Sequence, residues 1–368
     1  MIGRSCTPKS RTLLKITAGG LFALVCFAIS PRMSSSARQQ SDPTAVPSPT
    51  TWTVTLVLPS RVIAGQPATL AALGVDGRLA PDVTVEVAGA KLKTDRTGRA
   101  SFTAPTSGQI VLAKGSGASA AALIDPVRAM GSQHPVAVDP VVSMKEPFSV
   151  CGSGFRGDAD ANRVRINGEN ALVLAASPEC LSVLPGAKSA PGPAKILITS
   201  TILPSGQWTA TTTLVSLDAE FPASGLALNE KAQVGVRVRG SDQRLHIVVE
   251  NQTPGILRFS RGDMQELFTS GGQENIARVE AQAIRSGDFS FDAKLLTAPD
   301  DALARAYLEA ALPLANEHAQ RDITRLVKQL DEHPDRTDDV RRDLDGLLGN
   351  TVAGDFRTLL EAARTALS

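Results

Sequence analysis

The chain has 368 residues, 42% of them hydrophobic, enough to bury two or three cores of ordinary domain size. Its 38 basic side chains are matched by 37 acidic ones, which excludes a chain-wide electrostatic footprint for nucleic acid or an anionic membrane surface. Aromatic residues are only 4%, while Gly (30) and Pro (23) are plentiful, a composition suited to short strands joined by many turns.

At the N-terminus, Arg4, Lys9, Arg11 and Lys15 precede the apolar run "ITAGGLFALVCFAIS", followed by Pro31 and the small residues Ser34 to Ala37. That order is the grammar of an export signal. The apolar part is about 15 residues, short of the roughly 20 a spanning helix needs, so cleavage after Ala37 is expected over retention as an anchor. Membrane association would follow only from retention. Cys26 is preceded by Val25 and not by a small residue, which departs from a lipoprotein signal, so no lipidation is expected. Residues 38–50 include "SDPTAVPSPT", a Pro/Ser-rich linker that cannot build a core.

From residue 51 to about 130 the chain reads as short strands. "TWTVTLVLP" alternates, as do Val83, Val85 and Val87, and Ala100 and Phe102, with turns at "VDGR" and "TDRTGR". The stretches "AGQPATLAALGVDGRLAPDVTVEV" and "TDRTGRASFTAPTSGQIVLAKGSG" resemble a bacterial immunoglobulin-like domain of the invasin and intimin sort. Residues 136–217 carry, in order, "FSVCGSGF", "VRING", a strand ending in "VLP", and "GPAKILI". In that order they resemble an IPT/TIG domain, a second immunoglobulin-like sandwich.

Within this second segment Cys151 and Cys180 are the cysteines left once a signal is removed. In an exported chain they predict a disulfide closing about 28 residues, worth about 3 kcal/mol in the chain-entropy model. Gly152, Gly154 and Gly157 spell G-x-G-x-x-G, but the alternating Val164 and Ile166, then Gly168 and "ALVLAA", read as a hairpin where a dinucleotide fold needs a helix. Asp158, Asp160, Asn162 and Glu169 fall at calcium-loop spacing, yet Arg163 occupies the position that requires Gly. A calcium site of another kind, built on Asp158, Asp160 and Asn162, stays open beside the plain reading of a solvated acidic loop.

Residues 219–298 alternate again through Val234, Val236 and Val238, then Leu245, Ile247 and Val249, then Val279, Ala281 and Ala283, predicting a third β-rich domain. Arg261, Gly262 and Asp263 form an R-G-D tripeptide between apolar runs, and Asn251-Gln252-Thr253 fits a glycosylation sequon. From residue 299 to 368 the period becomes helical: Ile323, Leu326, Val327 and Leu330 share one face, as do Leu344, Leu347 and Leu348, and Leu359, Leu360 and Ala363. An earlier helix starts near Asp300 and is interrupted by Pro313. This stretch holds 14 acidic against 9 basic side chains, which argues against nucleic acid. It is expected to cap the preceding sandwich, the alternative being a surface that docks another protein.

His134, His246, His318 and His333 are isolated from one another and from cysteine, and no nucleophile elbow, P-loop or H-E-x-x-H occurs. The expected fold class is mainly β: tandem immunoglobulin-like antiparallel β-sandwiches followed by a small α-helical module. The expected function is that of an exported, bacterial, non-catalytic binding protein of the cell envelope or exterior, with no cofactor. Both resemblances imply protein or carbohydrate partners. Arg156, Asp158 and Asn162 in one sandwich-end loop, and Arg261 and Asp263 in another, are the candidate recognition residues. Two other classes remain: a spacer or assembly factor whose contact is the helices, and a hydrolase or hydrolase accessory chain whose site forms only in three dimensions.

Overall fold

The computed structural model describes residues 54–127, 136–200, 207–222, 226–296, 299–333, 336–352 and 354–367. The expected signal segment, its linker and His134 lie outside the described residues. The fold is mainly β, with successive sandwiches and a helical segment at the C-terminal end.

The first sandwich contains β1 (Thr55–Val57), β2 (Arg61–Ile63), β3 (Pro67–Leu73), β4 (Thr84–Val87), β5 (Ala90–Lys93), β6 (Arg99–Thr103), β7 (Ile110–Gly115) and β8 (Ala118–Asp125). One sheet runs β1-β3-β6 and the other β2-β8-β7-β4-β5. Period-two alternation does what it predicts: in β4, Val85 and Val87 are buried while Thr84 and Glu86 are exposed. Leu70, Val85, Phe102, Val111 and Ala113 meet in the core between the sheets.

The second sandwich follows with β9 (Ala137–Val138), β10 (Val141–Ser143), β11 (Phe148–Cys151), β12 (Asn162–Ile166), β13 (Glu169–Ala176), β14 (Cys180–Leu184), β15 (Gly192–Ser200) and β16 (Gln207–Glu220). Asn167 (φ 50°) and Gly168 (φ 88°) make the two-residue turn between β12 and β13, where both residues must adopt positive φ. Phe155, Val164, Ile166, Leu181 and Ile196 fill this core.

The third sandwich adds β17 (Lys231–Arg239), β18 (His246–Asn251), β19 (Leu257–Phe259), β20 (Met264–Phe268), β21 (Ile276–Ala283) and β22 (Phe291–Leu295). Its sheets are β16-β17-β21-β19 and β20-β18-β22. The boundary expected near residue 217 therefore falls inside a strand. β16 is 14 residues long; residues 207–214 pair with β15 and residues 216–220 with β17, so one strand serves two sheets. No linker signal marks this junction because there is no linker.

Among the described residues four helices follow: α1 (Asp301–Ala311), α2 (Glu317–Glu332), α3 (Thr337–Gly349) and α4 (Asp355–Ala366). Asp300 caps α1 by accepting from the Leu303 N–H at 2.9 Å, and Asn316 caps α2 by accepting from Ala319 at 2.9 Å. Pro313 sits in a short 3-10 turn between them, as its missing N–H requires. The helices do pack onto a sandwich, but the expectation that it would be the preceding one is only partly met. Their main apolar contact is with the first sandwich, where Leu123, Ile110, Leu112 and Ala121 of β7 and β8 join Tyr307, Leu308, Leu359 and Leu360 in one cluster. The Tyr307 hydroxyl donates to the Ala121 carbonyl at 3.1 Å, Thr358 bonds Ser119 at 2.9 Å, and Lys114 pairs with Asp355.

Contact with the third sandwich is polar by comparison. Arg341, on α3, is buried and pairs with Glu266 of β20, which Arg364 and His246 also approach at 3.6 Å. His246 stacks on Phe268 with ring centroids 4.3 Å apart, and burial holds its imidazole below the ordinary value despite the Glu266 charge.

Leu360 is fully buried in the helix-sandwich cluster, so Leu360→Ala is expected to lower unfolding free energy by about 3 kcal/mol in a urea titration. Removing residues 299–368 exposes the apolar outer face of β7 and β8, and the shortened chain should self-associate on size-exclusion chromatography where the full chain does not.

Candidate functional site

The disulfide is formed between Cys151 and Cys180, which face each other across adjacent antiparallel strands with Cα atoms 4.1 Å apart. It ties the end of β11 to the start of β14. Cys180 is fully buried, whereas Cys151 is partly exposed and its sulfur lies 3.4 Å from the Ser60 hydroxyl of the first sandwich.

The loop carrying Arg156, Asp158 and Asn162 is not the free sandwich end it was expected to be. Gly157 presses on β3: its carbonyl accepts from the Thr69 hydroxyl at 2.6 Å, and a Cβ there would lie 1.9 Å from the Pro67 carbonyl oxygen. β3 also bridges to β13 through Thr69 and Ala176. Arg99 of β6, only 7% exposed, donates to the carbonyls of Val173 (2.6 Å) and Leu174 (3.2 Å) and pairs with Asp160 at 3.0 Å. The loop is thus half of the joint between two sandwiches. A loop looks recognition-ready in sequence when it is polar and rich in glycine, but here those features serve close backbone approach.

The same contacts account for the calcium-spaced residues. Asp158 caps a three-residue 3-10 turn (Ala159–Ala161) by accepting from the Asp160 N–H, and Asp160 is drawn to Arg99. Asn162 is buried, its amide spent on the Arg156 and Asp158 carbonyls at 2.8 Å and its oxygen on the Arg156 N–H. The side chains are organised as a capped turn. Among the described residues no group of three or more His, Cys, Asp or Glu side chains is placed to hold a metal. After the turn the chain enters β12, so the glycines of "CGSGFRG" open no phosphate-binding helix.

Arg261, Gly262 and Asp263 do lie exposed on the turn between β19 and β20. The Asp263 carboxylate accepts from the Asn251 amide at 3.1 Å, which ties it into the turn. Asn251 itself is 5% exposed and also donates to the Leu257 carbonyl at 2.7 Å, so the sequon asparagine has no free amide to glycosylate.

The candidate site that emerges lies elsewhere. A crevice of about 810 Å³ opens where the first sandwich, the second sandwich and the helices meet. The first sandwich contributes Leu56, Leu58, Arg61 and Ala121; the second contributes Val138, Asp139 and Cys151; the helices contribute Asp300, Leu303, Tyr307, Glu361 and Thr365. Arg61 is committed to Asp125 at 3.2 Å, and Glu361 pairs with Arg357 at 2.7 Å. Burial, and then the charge of Asp300, raise the Asp139 carboxyl above its ordinary value of 3.8. Burial likewise pushes the Tyr307 hydroxyl up, so it stays protonated as a donor. None of these residues is close in sequence to its neighbours across the crevice, which is why no spacing rule found them. The single available signal was the lone Tyr of the chain standing on the apolar stripe of a helix.

No protein-family model and no curated protein sequence matches the chain. Similar solved structures include the SGBP-B protein of a Bacteroides ovatus mixed-linkage glucan utilization locus in complex with a mixed-linkage heptasaccharide. It is 12% identical, with 66% of this chain and 60% of that one covered and a TM-score of 0.19. Immunoglobulin domains 1–4 of Sidekick-1 are 9% identical over 62% of this chain and 74% of that one, with a TM-score of 0.23. Domains 1–6 of the surface layer protein SbsC are 11% identical over 66% and 38%, with a TM-score of 0.16. The chain thus spans less than two thirds of the length of the first of these, and likeness at this level carries nothing about ligand or activity.

Replacing both Cys151 and Cys180 by Ser should cost about 3 kcal/mol of unfolding free energy, since the bond closes a separation of 29 residues. Arg99→Met strands two buried carbonyls and is expected to cost about 3 kcal/mol, while Asp160→Asn, at the exposed end of the same pair, should cost under about 1 kcal/mol. A carboxyl raised in the folded state opposes folding once ionised, so Asp139→Asn should raise Tm at pH 7. That gain should vanish as pH falls below 3.8, where folded and unfolded chains are both protonated.

Proposed function

We propose that the chain is an exported, non-catalytic binding protein of the bacterial cell envelope or exterior, and that its ligand, a protein or a carbohydrate, sits in the crevice between the sandwiches and the helices. On this reading the first sandwich is a bacterial immunoglobulin-like domain of the invasin and intimin sort and the second is an IPT/TIG domain. The observation that carries the proposal is the crevice itself. Its walls come from stretches around residues 55–61, 137–151 and 300–366, and they are held in register by the docking of α1 and α4 on β8. A concave, mixed apolar and polar surface assembled from rigid elements is the ordinary form of a binding site. The helices spend their apolar stripe inside the chain, which weighs against their serving as the main surface for another protein.

A rigid spacer is the second reading, favoured by the shared strand β16. The two separate on one substitution. Thr365 is exposed on α4 and lines the crevice, so Thr365→Trp fills it without entering a core. Wild-type chain should be retained on isolated cell-wall polymer, surface polysaccharide or surface protein, and Thr365→Trp should lower that retention at least tenfold. Equal retention of the two proteins would remove the crevice as the site, and retention of neither would leave the spacer. Degradation of any of these materials that is lost in Glu361→Gln would overturn the non-catalytic reading.

A further inference from the structure

We propose that the crevice takes an extended peptide segment carrying Lys or Arg side chains, a proposal that rests on the crevice being the binding site. Two independent features point to it. One is the main-chain lining. β1 borders the crevice and, among the described residues, stands at the edge of its sheet, bonded to β3 only. β9, which also lends Ala137 and Val138 to the crevice, pairs among the described residues only with β11. Edge strands present unpaired N–H and C=O groups, which an extended peptide can join as an added strand. The side chains between them are small: Ser60, Ser119, Ala120, Ala137 and Ser149 let a guest backbone approach, while Leu56, Leu58 and Leu303 offer apolar contacts for alternate side chains.

The other feature is charge. Of the Asp, Glu, Lys and Arg side chains that line the crevice, three are acidic, Asp139, Asp300 and Glu361, and one is basic. The one cation, Arg61, is neutralised by Asp125. Asp139 has no ion pair or hydrogen bond to its carboxylate among the described residues. What raises it is burial and the neighbouring acid, with no basic group opposing them. A half-buried carboxylate facing a second one is relieved by an incoming cation and made worse by an anion. A neutral sugar would satisfy hydrogen bonds there but would leave the charge uncompensated. The crevice is therefore complementary to a strand that brings its own ammonium or guanidinium groups.

The test is fluorescence anisotropy at low salt with the full chain and two labelled peptides, Val-Lys-Val-Lys-Val-Lys and Val-Glu-Val-Glu-Val-Glu. The lysine peptide should bind and the glutamate peptide should not. Asp139→Asn combined with Asp300→Asn should weaken lysine-peptide binding at least tenfold while keeping the α1 cap, since Asn caps as well as Asp. Thr365→Trp should abolish binding, and unlabelled cellohexaose should not compete. As a control for unspecific attraction, Asp242→Asn with Asp288→Asn, both exposed and outside the crevice, should leave the affinity unchanged. Equal binding of the two peptides, no binding of the lysine peptide, an unaffected crevice double variant, or an equal loss in the remote one would each overturn the proposal, as would competition by the sugar. If envelope retention depends on residue 365 while the lysine peptide shows no preference, the binding reading stands and the peptide proposal fails. If the peptide binds as described but retention ignores residue 365, the failure lies in the envelope reading.

Discussion

The apolar stripes of α1 and α4 lie on the outer face of β7 and β8, and the rest of the architecture is arranged around that contact. A β-sheet in a lone sandwich shows one face to water, and Ile110, Leu112, Ala121 and Leu123 would then be a patch of apolar surface. Covering it brings the end of the described chain back beside its beginning, with 186 residues separating Tyr307 from its hydrogen-bond acceptor. On the helix side the contact is made of buried Leu308, Leu359, Leu360 and Ala363, so area removed from water is its main support, with the Tyr307, Thr358 and Lys114 contacts beside it. The crevice follows from it geometrically, because one of its walls is the helical face that the docking sets in place.

The other joints add directed polar contacts. Between the first two sandwiches a small apolar cluster of Ala71, Leu73 and Leu174 is joined by a backbone bridge and by Arg99, a buried cation whose cost is offset by two main-chain carbonyls and the Asp160 carboxylate. Between the helices and the third sandwich the cluster around Glu266 gathers Arg341, Arg364 and His246. Polar joints of this kind demand direction, since each donor must meet its acceptor at bonding distance, whereas the apolar one tolerates small slides. Together they fix both the separation and the angle of the parts they connect.

What could be read from the sequence was whatever depends on near neighbours. Val85 and Val87 alternate and point inward, Asn167-Gly168 turns a hairpin, Pro313 breaks a helix, and Cys151 and Cys180 form the expected disulfide. The apolar face of each helix was equally plain, but its partner was not, because periodicity names the face and says nothing about what covers it. The joint failed for a related reason. "RGDADANR" has the composition of a solvated loop, and only the 2.6 Å bond from Thr69 to Gly157, 88 positions apart, shows that it is wedged against another sandwich. The end of the second segment was misplaced because β16 continues through it with an unbroken strand pattern. Asp139, Asp300 and Glu361 carry no local signature, since their relation exists only once the chain has returned on itself.

β16 has a consequence for how such a chain can change over generations. Side chains alternate along a strand, so its N-terminal part offers Leu214 to the second core and its C-terminal part offers Val215 and Leu217 to the third. The pleat is counted continuously through residues 214–216. A single residue inserted or lost there would leave one sandwich in phase and turn the other inside out, exchanging its core residues with its surface ones. Insertions between domains are ordinarily the cheapest of changes, absorbed by a linker. At this boundary they are among the most expensive, so the second and third sandwiches can be substituted freely but can be lengthened, shortened or separated only as a pair.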